Sequence, residues 1–317
     1  MLKVSIIVPV YGVEKFIERC ARSLFEQTYQ DLEFIFVDDC TNDRSIDVLD
    51  RVMQEYPNRR KQVRILHHTT NKGLPQARKS GILAAEGEYI ISVDSDDWVD
   101  LSMVDVLVKR VKKEDSEIVI FDYATTNGID YYNHKGCFHL EKESLIRDLC
   151  PMKVSWSLCN KMFKKTLINN EIVFPNDNMG EDMGLTMQLV LKSSLFSYEP
   201  STLYYYYLNP NSISQVLSEK AILNKYLQHN NNLRIVIDAF EKMGVEEEYK
   251  DCLVALKWNV RKGLWPLVNH TDYYRMWKNT YPEIDLTILF NSLISIEDKV
   301  RYLLTRIHLY PQKKNRV

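Results

Sequence analysis

The chain is predicted to be an α/β protein: a mostly parallel sheet flanked by helices, followed by a helical C-terminal region. Short apolar runs rich in β-branched and aromatic residues recur at residues 4–8, 32–37, 63–66, 89–93 and 118–121. Their near-continuous hydrophobicity fits strands buried on both faces. Helical patterns fill the gaps, at about 14–26, 45–55, 75–85 and 102–113, and strict alternation of strand and helix is the pattern of a parallel sheet with helical crossovers. Beyond about residue 216 only helical periodicity is left, with Trp258, Trp265 and Trp277 set among charged residues.

Each element has a local warrant. The opening stretch MLKVSIIVPVYG stops at Pro9 and lacks a small-residue cleavage site, so it reads as a first strand and not as a secretion signal. Pro75 suits a first helical turn, Gly87 follows the end of that helix, and Ser102 with Asp105 forms the pattern of a capping box. From 123 to 155 the pattern loosens, with Asn127-Gly128 as a hairpin signal. A second ordered block, WSLCNKMFKKTLI, leads to the loop FPNDNMGED, an amphipathic helix at about 183–191 and the aromatic segment LYYYYLNPNSIS. Residues 204–207 read as a core strand. The expected division is residues 1–214, with 1–100 binding the nucleotide and 101–214 facing the acceptor, then a helical region from 215 to 317.

Composition excludes several classes. A length of 317 residues with 45% hydrophobic and 26% charged side chains describes an ordinary globular chain. A formal charge of −2 gives no footprint for nucleic acid, which needs a basic face. Cys20, Cys40, Cys137, Cys150, Cys159 and Cys252 form no zinc-like spacing and read as buried thiols in a reducing cytoplasm. No window approaches the ~20 apolar residues of a bilayer span, so any membrane contact is expected to be peripheral.

Ligands of open α/β sheets bind beyond the carboxyl ends of the strands. Pro9, Val10 and Tyr11 follow the first strand, Asp38 and Asp39 the second, and Asp94, Ser95 and Asp96 the fourth, so these residues are expected to line one crevice. The stretch GEYIISVDSDDWVD places Asp94, Asp96, Asp97 and Asp100 within seven positions. Such crowding is costly unless a cation sits there or some of the acids cap a helix. Ser102 is the better cap, which leaves Asp94 and Asp96 to face a hard cation such as Mg²⁺ or Mn²⁺. Asp97 and Asp100 read as solvated or loop-bracing.

The ordered combination VSIIVPVYG, FIFVDDCTND and NKGLPQARKSGILAAEGEYIISVDSDDW resembles the family 2 nucleotide-sugar glycosyltransferases of the GT-A fold, a Rossmann-like sheet flanked by helices. The likeness is strong over about the first 100 residues and extends through KMF, GED and YYYYLNPNSIS to about residue 214. It implies that Pro9 to Tyr11 lie along the nucleotide base and that Asp39 accepts a hydrogen bond from uracil, a role that an acceptor-only carboxylate suits. Asp38 reads instead as bonded to loop amides. Asn71, Lys72, Gly73 and Arg78 become candidates near the nucleotide or diphosphate, Gly73 for close backbone approach and the helix start near Pro75 for its affinity for anions.

The resemblance further implies that Asp94 contacts ribose or donor sugar, that Asp96 holds a divalent metal on the diphosphate, and that Asp182 of the Glu181-Asp182 pair is the general base of an inverting transfer. Trp156 and Lys161 fall on the acceptor side, with a core tryptophan and a surface lysine as the bland readings. His67 and His68 read as structural or loop residues. Many members of the family carry a basic residue shortly before the serine of LNPNSIS. Here Tyr207, Leu208 and Asn209 stand in its place, which increases the dependence on metal.

The expected partners are a nucleotide-sugar donor, which the resemblance implies is a UDP-sugar, and a glycan or lipid-linked acceptor. After Asp298 the chain has no acidic residue but carries Arg301, Arg306, Lys313, Lys314 and Arg316 interleaved with Val300, Leu303, Leu304 and Ile307. This basic C-terminus is either a solvated helix or a peripheral contact with the inner face of the membrane. Two rivals stand beside the transferase reading. A sugar nucleotidyltransferase would need a Gly-rich basic loop after the first strand, where this chain has VYGVEKF. An inactive scaffold protein would have no need of Asp39, Asp94, Asp96 and Asp182 together.

Overall fold

The structure, a computed structural model, describes residues 2–137, 139–209 and 218–309. The first half alternates as expected: β1 (Val4–Val10), α1 (Ile17–Phe25), β2 (Leu32–Asp38), α2 (Ser45–Glu55), α3 (Pro57–Arg60), β3 (Val63–His67), α4 (Leu74–Ala84) and β4 (Tyr89–Ser92). There follow β5 (Trp98–Val99), α5 (Met103–Glu114), β6 (Ile118–Thr126), β7 (Tyr131–His134), α6 (Lys142–Leu149), β8 (Lys161–Lys164), α7 (Glu181–Lys192) and β9 (Phe196–Tyr207). The helical region consists of α8 (Glu219–Lys242), α9 (Lys250–Arg261), α10 (Thr271–Asn279), α11 (Thr287–Phe290) and α12 (Ile296–Arg306), with short 3-10 turns between them.

All these strands belong to one sheet, ordered β3-β2-β1-β4-β8-β6-β9-β5, with β7 paired to β6. The β3-β2-β1-β4 block is parallel. The sheet is mixed beyond it: β8 runs antiparallel to β4 and β6, β5 antiparallel to β9, while β6 and β9 are parallel. Pairing of β1 with β4 ends at Ile7 and Ser92, whereas pairing with β2 continues to Val10 and Asp38. The ladder on the β4 side therefore ends at Pro9, which has no N–H to give.

Alternate residues of β1 and β2 feed different clusters, as the two-residue period of a strand requires. Ile6, Val8, Phe34 and Phe36 pack on one face under α1, α2 and α5. Ile7, Ile35 and Val37 belong to the other cluster, which runs without a break into Leu233, Phe240, Trp258, Trp265 and Trp277 of the helical region. These tryptophans are 1, 6 and 0% exposed, so the helices α8 to α12 share the core of the sheet. Lys313, Lys314 and Arg316 of the basic C-terminus lie outside the described residues.

One local expectation fails. Ser102 makes no side-chain cap at α5. Its Oγ and N both donate to Asp100 Oδ1, at 2.5 and 2.8 Å, so Asp100 braces the turn and Ser102 is its donor.

Candidate active site

At the carboxyl end of β1, Pro9 and Val10 are buried and Tyr11 is 51% exposed. Asp38 and Asp39 are both tied to loops. Asp38 accepts from Thr41 N at 2.9 Å, as expected of a loop-bonded acid, and pairs with His67 Nδ1. Asp39 is 2% exposed and accepts from Lys72 N at 2.9 Å, Gly73 N at 2.8 Å and His68 Nδ1 at 2.7 Å. His68 Nε2 in turn meets Ser80 Oγ. Asn71, exposed, accepts from Gly73 N through its Oδ1. Gly73 has φ +86°, and a Cβ there would lie 3.0 Å from Asn178 Oδ1, so glycine serves both the backbone conformation and the close approach.

Arg78 lies one turn into α4 and is 2% exposed. Its Nε donates to Ser92 Oγ at 3.0 Å, Nη2 to Asp94 Oδ1 at 2.7 Å and Nη1 to Asp182 Oδ1 at 3.0 Å, and it also pairs with Glu181. The guanidinium thus joins the end of β4 to the start of α7. Burial alone would lower its pKa, but the Asp182 and Asp94 charges more than offset that and raise it.

The acid cluster is held at its backbone and side chains. Asp94 N donates to Tyr204 Oη, and Tyr204 Oη donates to Asp97 Oδ2 at 2.5 Å. Asp97 Oδ1 accepts from Tyr207 N at 2.7 Å. Asp97 is fully buried, so of its two expected roles it brace-locks the loop to β9 and is not solvated. Ser95 is buried and Asp96 half-buried. Asp96 Oδ2 lies 3.4 Å from Asn209 Nδ2, and its carbonyl accepts from Arg19 Nη2 at 2.9 Å. Burial raises the pKa of all three acids; Asp94 reaches about 6, with Arg78 opposing the rise and Asp182 and Asp96 adding to it.

Asp182, with its side chain 35% exposed, sits in the first turn of α7 after Gly180, whose φ of +80° sets the entry angle. The preceding loop is clamped from two sides. Gln76 Nε2 donates to Asn176 Oδ1, linking it to α4. From α8, Gln228 Oε1 accepts from Met179 N, Asn231 Nδ2 donates to Asp177 Oδ2, and Asn232 Nδ2 donates to the carbonyls of Asp177 and Met179 at 2.8 and 2.9 Å. His229 packs so closely that a Cβ on Gly180 would lie 2.5 Å from its ring.

Of three further groups around the site, Arg19 and the amides of α8 had no role in the sequence reading, and Lys161 had only an acceptor-side one with a surface lysine as its alternative. Arg19 of α1 stacks between Trp98, at 3.7 Å, and Tyr207, at 4.9 Å, and places a cation behind the acid loop. Lys161 is 2% exposed, not a surface lysine: its Nζ donates to Ser155 O, Ser157 O and Asn160 Oδ1, and burial lowers its pKa to about 8. Trp156, in the loop thus held, is half-buried and donates from Nε1 to Leu149 O. The third group is the amide run of α8. Its signal was the unbroken polar string QHNNN, residues 228–232, within an amphipathic helix, and that of Lys161 was a lysine opening the apolar strand KMF. The segment 210–217, which includes the serine of LNPNSIS, lies outside the described residues.

Comparison with known proteins agrees with this arrangement. Residues 5–174 match the model of glycosyl transferase family 2. The chain is 32% identical to glycosyltransferase GlyG of Streptococcus pneumoniae serotype 4 over 66% of its own length and 72% of the relative. It is 30% identical to the poly(ribitol-phosphate) beta-glucosyltransferase of Bacillus spizizenii over 98% of its length, but spans only 46% of that longer protein. The crystal structure of S. aureus TarS superposes with a TM-score of 0.71 at 20% identity, covering 98% of this chain and 54% of TarS. Residues 1–349 of TarS in complex with UDP-GlcNAc give 0.61 at 17% identity, covering 98% of this chain and 88% of that one. With strand-end acids, a GT-A sheet and a family match over more than half its length, the chain belongs to glycosyl transferase family 2.

Proposed function

We propose that the chain is an inverting glycosyltransferase that moves a sugar from a nucleotide-sugar donor to a hydroxyl of a glycan or lipid-linked acceptor. The observation that carries the reading is the meeting of Asp94 and Asp182, from distant elements, on the single buried guanidinium of Arg78, with Asp96 beside them. A uridine nucleotide is the donor named for the TarS complex, which makes UDP-sugars the first to test here.

In this reading residues 1–100 serve the donor. An ionised carboxylate offers about four acceptor sites, and three donors occupy Asp39, so Oδ2 retains a lone pair for the N3 proton of uracil while the rest of the carboxylate is held still. Tyr11, on the lip, covers the base. Asp182 takes the proton of the acceptor hydroxyl on the face opposite the leaving group. Arg78 orients Asp182 and Asp94 together, and the amides of α8 fix the loop from which Asp182 projects.

The acids fit a divalent ion. Burial penalises the charged forms of Asp94 and Asp96, with repulsion from Asp182 and Asp96 adding at Asp94, and Asn209 Nδ2 reaches Asp96 Oδ2 only at 3.4 Å. Among the described residues no three His, Cys, Asp or Glu side chains converge as a closed metal cage. Two carboxylates of this kind suit Mn²⁺ or Mg²⁺, which commonly take further ligands from substrate phosphates. Asp94 and Asp96 would hold the ion, which when bound would supply positive charge for the departing nucleoside diphosphate.

The test is incubation with a panel of nucleotide sugars and Mn²⁺ or Mg²⁺, with products separated by chromatography. Nucleoside diphosphate release supports the transferase, and pyrophosphate release would establish a nucleotidyltransferase instead. No release and no nucleotide binding would leave a scaffold protein. Asp182→Asn is expected to retain donor binding and lose about 10²–10⁴-fold in transfer, the usual contribution of a general base.

A further inference from the structure

Two successive histidines at the end of β3 each meet one acid of the pair at the end of β2. His67 Nδ1 bonds Asp38 at the surface, where the imidazole is 59% exposed. His68 N donates to Asp38 O at 2.9 Å and prolongs the β2–β3 ladder by one residue, so the two-residue period of a strand turns the His68 side chain the other way. There its Nδ1 lies 2.7 Å from Asp39 Oδ1, with side chains only 7 and 3% exposed. Asp39 N donates to Val10 O at 3.0 Å, which ties the acid to the end of β1.

The bonds of this buried pair fix which lone pair of Asp39 is open. A carboxylate only accepts, so the proton between the two side chains belongs to His68 Nδ1. With the ring neutral, Nε2 accepts from the Ser80 hydroxyl of α4, 2.9 Å away, and Ser80 thereby selects the tautomer. An ionised carboxylate has about four acceptor sites, two on each oxygen. Among the described residues, Oδ1 of Asp39 accepts from Lys72 N and His68 Nδ1, and Oδ2 accepts from Gly73 N. Oδ1 is full and the open site is on Oδ2. Lys72 and Gly73 donate from the backbone, so His68 is the side chain that closes Oδ1.

We propose that His68 is a positioning residue for the nucleobase: by closing Oδ1 it leaves Asp39 an open acceptor on Oδ2 alone, and the site then demands a base edge that donates. The inference rests on the reading of Asp39 as the acceptor for uracil N3–H. Uracil carries a hydrogen at N3 and cytosine, a ring of the same size, carries a lone pair, so the arrangement selects UDP over CDP. Without His68 the carboxylate has open sites on both oxygens and is free to turn, and the bond to N3 is no longer preset.

The experiment is calorimetric titration of UDP and of CDP into the full chain at constant Mn²⁺. The wild type is expected to prefer UDP. In His68→Leu the Kd for UDP should rise about tenfold, the low end for a hydrogen bond to a charged group, while the Kd for CDP stays the same because CDP does not use the open acceptor. His68→Asn, whose amide keeps a donor near the position of Nδ1, should recover most of the loss. Ser80→Ala, which releases the tautomer, should weaken UDP alone by about threefold, and it carries the test if His68→Leu does not fold. Equal loss of UDP and CDP in His68→Leu, or no loss of either, overturns the proposal. So does His68→Asn as weak as His68→Leu, or unchanged UDP binding by Ser80→Ala. A wild type that binds the two nucleotides alike, or neither, overturns the reading of Asp39 itself and this inference with it.

Discussion

Arg78→Met tests whether one guanidinium is the shared counter-ion of the site. The substitution keeps an unbranched side chain and removes the charge from a position 2% exposed. Breaking a buried pair by removing one partner costs about 3–5 kcal/mol. Asp94 and Asp182 have side chains 28 and 35% exposed, so water screens part of their loss, while Glu181, at 5%, is left buried without a cation. The lower end, about 3 kcal/mol, is therefore expected. For 317 residues the unfolding entropy is about 0.7 kcal/mol/K, so the midpoint falls by about 4–5 °C.

The deficit also depends on pH. Asp94 already titrates at about 6 against an ordinary 3.8, through burial first and then Asp182 and Asp96, with Arg78 opposing. Removing Arg78 raises it further. A carboxyl whose folded pKa is raised contributes stability that is fully present below 3.8 and lost as pH rises through the folded value. The variant should thus stand closer to the wild type at about pH 5 than at about pH 8. Differential scanning calorimetry at both values measures this. An unchanged midpoint, or a deficit equal at both, refutes the shared counter-ion. Arg78→Lys, which keeps the charge but loses the fork, should fall between the two.

Three further outcomes are expected. Asn232→Leu removes the donor to the half-buried carbonyls of Asp177 and Met179, at about 0.5–1.5 kcal/mol each; it should lower kcat with the Kd for UDP unchanged, and an unaltered kcat would remove α8 from the catalytic unit. Because protons compete for Asp94, Mn²⁺ affinity followed by calorimetry should fall about tenfold per unit as pH drops below about 6, and a flat profile would place the ion elsewhere. Lys161 has a folded pKa lowered by burial to about 8 from 10.5, so its protonated form is penalised and its contribution to stability rises with pH between those values; Lys161→Met should lack that rise in thermal melts, and an identical profile would contradict the burial.

The parallel block was legible because β1, β2 and β4 are buried on both faces and their apolar runs have no competing period. The strand-end acids were legible for the same reason, since a polar residue after such a run has few places to go. Most of what escaped depended on partners distant in sequence. Asp97 resembles its neighbours until Tyr204 and Tyr207 fold back upon it. Arg78 could be read as a diphosphate ligand, but its contacts with Asp94, Glu181 and Asp182 exist only after β4 and α7 converge. Ser102 was assigned a cap because the local pattern permits one; Asp100, two residues earlier, competes for both its donors and wins.

The grip of α8 on the loop before Asp182 has a consequence for inheritance. A chimaera that exchanges only residues 1–214 between two relatives would carry its strand-end acids intact, yet would leave Asp182, the base of the proposed mechanism, on a foreign splint. Glycosyl specificity and turnover should therefore travel separately in such hybrids unless Gln228, His229, Asn231 and Asn232 move along with the loop they hold.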